Sequence, residues 1–262
     1  MKKLRVTSYE LRVVISGLLT CAAYAFPPNE LKYCGPFDKT NDLLGYQEEQ
    51  VDDKGLKNIL TGFHTLYPYL SLIAYENNIR DPLDPRVVEA YWIGNELLKK
   101  ISGKKLYEHF SGALNLRKKI SKNDFSYLVG KIDDGAIPHH TFHVLNVFTR
   151  TGHQNVEHTL ETMNACRIGW GKVKKIRNDK LEMRNEIMIE TQPLVLKKGK
   201  LTLGKPVLKK IYNPLIRKSE ISNQKSNVSF HWNTFCDILT DRQVRNLKHY
   251  TEKAIQLANK TL

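Results

Sequence analysis

A thiol and an imidazole 65 positions apart, Cys166 and His231, are the side chains of this sequence best suited to hold a metal together. Cys166 opens Cys166-Arg167-Ile168-Gly169-Trp170-Gly171-Lys172-Val173, at the head of a β-rich stretch. His231 closes that stretch in Val228-Ser229-Phe230-His231, shortly before a well-capped C-terminal helix. A thiolate is a soft ligand and an imidazole a borderline one, a pair that suits iron, nickel or zinc. One at the start and one at the end of a small β-unit can meet across a barrel. Gly169 and Gly171 would let a backbone or ligand approach closely. Taken singly, each residue has a plainer reading, as a buried strand cysteine and a satisfied core histidine.

A second constellation is Pro138-His139-His140-Thr141-Phe142-His143. If a helix begins at Pro138, His139 and His143 stand at i and i+4 and share a face. Two such imidazoles can bind zinc or iron when a third ligand arrives, from Cys34, His64, Glu89 or His153. The H-E-x-x-H pattern of metalloproteases is absent. Cys34, in the turn-prone Tyr33-Cys34-Gly35-Pro36, could serve as a nucleophile with His139 or His140 as its base. That combination describes a thiol- or metal-dependent enzyme. The plainer readings are a polar helix start and a buried structural thiol.

Composition narrows the class. With 262 residues, 41% of them hydrophobic, the chain has material for a real core and is globular rather than disordered. Its four cysteines, at 21, 34, 166 and 236, include no C-x-x-C pair. Free thiols fit a reducing cytoplasm better than a disulfide scaffold. The net charge is +14, and residues 167 to 225 hold 16 Lys/Arg against 5 Asp/Glu. Such a surface suits an acidic partner. A basic nucleic-acid-binding module is the weaker alternative, since no reading helix or aromatic RNA motif accompanies the charge. The basic N-terminus followed by apolar residues 13–22 and Ala23-Tyr24-Ala25 imitates a secretory signal. Glu10 and Arg12 intrude, and the run is too short to span a bilayer. Helical spacing of Leu11, Val14, Ile15, Leu18 and Leu19 favours a first core helix instead.

These groups must be positioned by two kinds of element. The first 160 residues read as helices: Ser8 to Phe26, stopped by Pro27-Pro28; a short one from Asp38 toward Gln50; Asp53 to Asn77, kinked or divided at Pro68; Pro85 to Ile101, capped by Asp84; and one or two more over 104–132. Short strands follow, at Val173–Ile176, Leu181–Ile189, Pro193–Leu196, Leu201–Leu203 and Val207–Tyr212, with a turn at Lys197-Lys198-Gly199-Lys200. Thr240 and Gln243 form a capping box for the last helix. The expected architecture is α+β, a helical domain over 1–160 and an OB-like β-barrel with a C-terminal helix over 161–262.

The order Cys166, Gly171-Lys172-Val173, strands, Val228-x-x-His231, helix resembles the small hydrogenase-maturation chaperones of the HypC/HupF family over roughly residues 163 to 258. Trp170 stands where that family has proline, and the cysteine here is internal. The resemblance implies a small OB-like barrel and a non-catalytic role. Cys166 and His231 would carry iron with CO and cyanide ligands, with zinc as the alternative metal. The partners would be a HypD-like maturation protein and the precursor of the [NiFe]-hydrogenase large subunit. The whole chain also looks like an uncharacterised family associated with [NiFe]-hydrogenase gene sets, through Ala25-Phe26-Pro27-Pro28-Asn29, Tyr33-Cys34-Gly35-Pro36, Asp81-Pro82-Leu83-Asp84, the segment from Val88 to Asn95, and Pro138-His139-His140.

Overall fold

The computed structural model describes residues 16–147, 157–177, 185–214 and 226–262. It is α+β, with ten α-helices among the described residues, a five-stranded sheet and a separate two-stranded hairpin. Helix α1 (Gly17–Glu30) starts where the Ser16 hydroxyl accepts from Leu18 N. The expected start at Ser8 lies outside the described residues. The expected stop at Pro27-Pro28 is corrected: both prolines sit inside the last turn. A proline removes the helical bond of its own nitrogen, but near a C-terminus the carbonyls matter more, and here they are satisfied from downstream. Leu31 N donates to Pro27 O, and the Tyr33 and Cys34 amides donate to Pro28 O. The loop carrying Cys34 is thereby folded back onto the end of α1.

Helix α2 (Thr40–Glu49) begins after a 3-10 turn that contains Asp38. The long 53–77 segment is divided into α3 (Lys54–Thr61) and α4 (Leu66–Glu76). The break falls just before Pro68, which therefore occupies the first turn of α4, where its missing N–H costs no helical bond. Helix α5 (Pro85–Trp92) has Asp84 as its cap and Pro85 first, as expected. It ends at Trp92 rather than Ile101, because Gly94 takes φ +95°, a conformation open chiefly to glycine. Next come α6 (Gly103–Glu108), α7 (Lys122–Asp133), α8 (His140–Asn146) and α9 (Leu160–Cys166). Sequence reasoning missed α9, whose capping box pairs Thr159 with Thr162 instead of Glu or Gln.

The sheet contains β1 (Gly169–Arg177), β2 (Asn185–Thr191), β5 (Val207–Asn213), β6 (Asn227–His231) and β7 (Thr234–Leu239), in the order β1-β2-β5-β7-β6. Strand β6 pairs back onto β1, with Gly169 opposite Phe230. A single parallel pair, Tyr212 and Thr234, joins β5 to β7. Between β2 and β5 the hairpin of β3 (Leu194–Lys197) and β4 (Lys200–Leu203) turns through Lys198 and Gly199, both at positive φ, as the sequence suggested. Strand β7 was not anticipated. Trp232 and Asn233, both at positive φ, reverse the chain directly after His231, so a strand intervenes before α10 (Asp241–Ala258). That helix starts with the expected Thr240–Gln243 box.

Val173, Ile187, Ile189, Ile211, Val228 and Phe230 fill the interior of the sheet. A larger core includes Tyr24, Leu60, Tyr69, Tyr91 and Phe142, and extends through Cys166 to Leu247, Ala254 and Leu257 of α10. Apolar packing is thus continuous across position 160. Asn146 of α8 reinforces it by donating to Ala254 O in α10. Part of the basic charge is spent locally: Lys174 pairs with Glu190, Lys210 with Glu186, and the Lys209 amine lies over the Phe230 ring. Residues 178–184 and 215–225 lie outside the described residues.

Candidate metal centre

Three side chains from three distant elements converge. His140 is the first residue of α8, Cys166 the last of α9 and His231 the last of β6. Cys166 Sγ and one ring nitrogen from each histidine all lie within 4.8 Å of one another, so the cluster could hold a metal ion. All three are buried, with exposures of 7%, 6% and 1% for His140, Cys166 and His231. Trp92 packs against both imidazoles, at 4.5 Å from His140 and 5.7 Å from His231, and Tyr24 stacks on Trp92. This aromatic wall excludes water from one side and holds the rings in place.

Hydrogen bonding orients the imidazoles. His140 Nε2 lies 2.8 Å from Cys166 O, and His231 Nδ1 lies 2.8 Å from Tyr24 O. A carbonyl only accepts, so each of these nitrogens carries the proton and donates. With both bonds kept, the lone pairs are on His140 Nδ1 and His231 Nε2. A backbone carbonyl fixing the tautomer of each imidazole is the usual support of a histidine ligand. With Nε2 protonated, His140 Nδ1 accepts from the Tyr91 hydroxyl at 3.3 Å, a bond that an ion bound at that nitrogen would displace. Burial first, and then the neighbouring His231, hold the His140 pKa well below its ordinary value. His140 is therefore neutral near pH 7, the form a metal requires. A cavity of about 50 Å³ adjoins the cluster, and Cys34, His143 and His158 also line it. That space takes a few water-sized ligands beside an ion.

The sequence-derived candidates divide accordingly. Cys166 and His231 are brought together, although Cys166 ends a helix and does not lie in a strand. Their companion His140 had been considered only as a base for Cys34, and nothing in its spacing pointed to the sheet. His139 and His143 face different partners. Helix α8 starts at His140, not Pro138, so His139 is its cap and accepts from Thr141 N while stacking on Tyr250. His143 faces the Tyr69 hydroxyl at 3.1 Å. Among the suggested third ligands, Glu89 is engaged by Arg242 and Gln243 of α10, and His64 is exposed. His153 lies outside the described residues. His158, on the same cavity wall as Cys34, escaped notice because no motif surrounds it.

The buried imidazoles carry a pH dependence. Burial pushes the His139 pKa down to about 3; burial and, secondarily, His143 do the same to His109. Folding therefore holds these groups neutral, while the unfolded chain takes up protons below 6.5. The stability they contribute is complete above that value and is lost as pH falls toward 3. The urea midpoint should accordingly drop between neutral pH and about pH 5. Equal midpoints at the two pH values would exclude a neutral buried set.

The chain belongs to DUF6390, a family of unknown function, whose model matches residues 13–262. No curated protein and no solved structure matched it. No helix among the described residues is long and apolar enough to cross a membrane.

Proposed function

We propose that this protein is a non-catalytic metal-handling factor that holds one soft or borderline ion through His140, Cys166 and His231. The observation that carries the reading is the convergence of three buried donors within 4.8 Å, with both imidazoles already oriented by backbone carbonyls. Three protein ligands beside a small cavity leave room for exogenous ligands, as a carrier needs. Iron with CO and cyanide, in the maturation of a [NiFe]-hydrogenase, is the cargo favoured by the HypC/HupF resemblance. The five-strand order with β6 returning to β1 is compatible with the OB-like barrel of that family. A HypD-like protein and the large-subunit precursor are then the partners, and the cytoplasm the compartment.

A metal-dependent enzyme is the second reading, favoured by the same open cavity, since catalytic zinc sites keep three protein ligands and one free position. The test is anaerobic purification beside the hydrogenase maturation proteins, followed by metal analysis and infrared spectroscopy in the CO and cyanide stretching region. Bands that vanish in Cys166→Ala support the carrier. Bound metal without such bands overturns the iron-fragment cargo, and metal content unaffected by Cys166→Ala overturns the site.

A further inference from the structure

The candidate metal centre lies inside the fold. Its three donors are nearly inaccessible, yet an ion must reach them from solvent and shed water on the way. The cavity beside them has a second thiol in its wall, Cys34, which is partly exposed whereas Cys166 is buried.

The loop that carries Cys34 is fixed in place. Asn29, fully buried at the end of α1, donates from Nδ2 to both Cys34 O and Pro36 O, at 2.9 Å each. Its Oδ1 accepts from the Thr40 hydroxyl at 2.8 Å. The Cys34 amide is bound to Pro28 O. Tyr33 packs on Trp232, the residue after His231, with ring centroids 4.8 Å apart. Gly35 takes φ +76°, and a Cβ there would stand 2.3 Å from the Phe63 ring. So many anchors around one short loop hold a thiol at a set place on the cavity wall. Tyr91, whose hydroxyl lies 3.3 Å from His140 Nδ1, lines the same cavity as both thiols.

We propose that Cys34 is the transit ligand of this centre: it takes the incoming ion first, passes it to Cys166, His140 and His231, and takes it back on release. The inference rests on the metal-centre reading above. The exchange is a ligand substitution without redox change. Cys34 Sγ loses its proton to solvent as it binds the ion and a water leaves. The Cys34–metal bond then breaks as Cys166 Sγ and the imidazoles bind, Cys166 releasing its own thiol proton and Cys34 regaining one. A soft thiolate suits this task because it competes well with water for iron, cobalt or zinc while remaining exchangeable.

The experiment uses the full-length metal-free protein and Co(II), followed by thiolate-to-cobalt absorption in stopped flow, with release measured against a chelator. Wild type should bind Co(II), and Cys34→Ser should reach the same final spectrum. Its loading and release should both be about tenfold slower, the loss of roughly 1.4 kcal/mol of barrier lowering. Unchanged rates overturn the proposal. A final spectrum with one thiolate fewer also overturns it, making Cys34 a permanent ligand. If wild type binds no Co(II), the metal-centre reading itself fails and the transit role with it. Asn29→Ala, which frees the loop but keeps the thiol, should slow loading in the same direction, and normal loading in that variant counts against a role for the fixed position.

Discussion

Zinc added to the metal-free protein should raise its melting temperature, and His231→Gln and His140→Gln should each abolish most of that rise. A ligand that binds only the folded state stabilises it by about 2.7 kcal/mol at a free concentration one hundred times Kd. Loss of an outer group that merely orients a ligand costs about 10- to 100-fold in affinity. Loss of the ligand itself should meet or exceed roughly 100-fold, enough to remove that stabilisation at the same zinc concentration. Glutamine is chosen because it fills much of the volume of histidine and can still donate to Tyr24 O or Cys166 O, the bonds that orient the native rings. The variants should therefore fold, at a cost of about 1–3 kcal/mol for an imperfect buried bond. His64→Gln, at an exposed position, is the control and should keep the full zinc effect. A zinc-induced rise that persists in both imidazole variants would disprove the centre.

Gly94→Ala should be strongly destabilising. At φ +95° a side chain brings backbone strain of about 1–3 kcal/mol. The added carbon would also stand 1.9 Å from the Tyr250 ring, and overpacking of that kind costs about 1–3 kcal/mol more. Tyr250 cannot simply retreat. Its hydroxyl donates to Asn95 O, its ring stacks on His139, and Asn246 one turn earlier donates to Gly94 O. The expected loss of about 2–6 kcal/mol is a large share of the 5–15 kcal/mol typical of a native protein. Gly130→Ala is the contrasting change. That glycine is exposed in α7 with nothing near its missing Cβ, and alanine there should stabilise by about 0.5–1 kcal/mol. Chemical denaturation of the two variants checks both signs, and a Gly94→Ala midpoint equal to wild type would refute the argument.

What the sequence made legible was local chemistry. Caps at Asp84 and Thr240, the Lys198-Gly199 turn and the change from helices to short strands could all be read because each depends on adjacent residues. Helix ends were misplaced where the deciding contact was remote. Pro27 and Pro28 stay helical because residues 31–34 return to cover their carbonyls. Trp92 ends α5 because Gly94 must make way for Tyr250 of the last helix. Strand β7 was hidden by a turn made of Trp232 and Asn233, neither of them glycine. The same division runs through the site. Cys166 and His231 were marked by the segments around them. His140 became their companion only through packing of α8 against the end of α9, and it had been overshadowed by the helical spacing of its neighbours His139 and His143.

The bond from His231 to Tyr24 O joins residues 207 positions apart, and His140 comes from the middle of the chain. Such separations have a kinetic consequence. Loop closure over long distances is slow and comes late, so the donors meet only after α8, α9 and β6 have all docked. A chain whose synthesis has not yet passed His231 lacks the third donor. The three donors can thus be complete only in a chain whose sheet has already met α8 and α9.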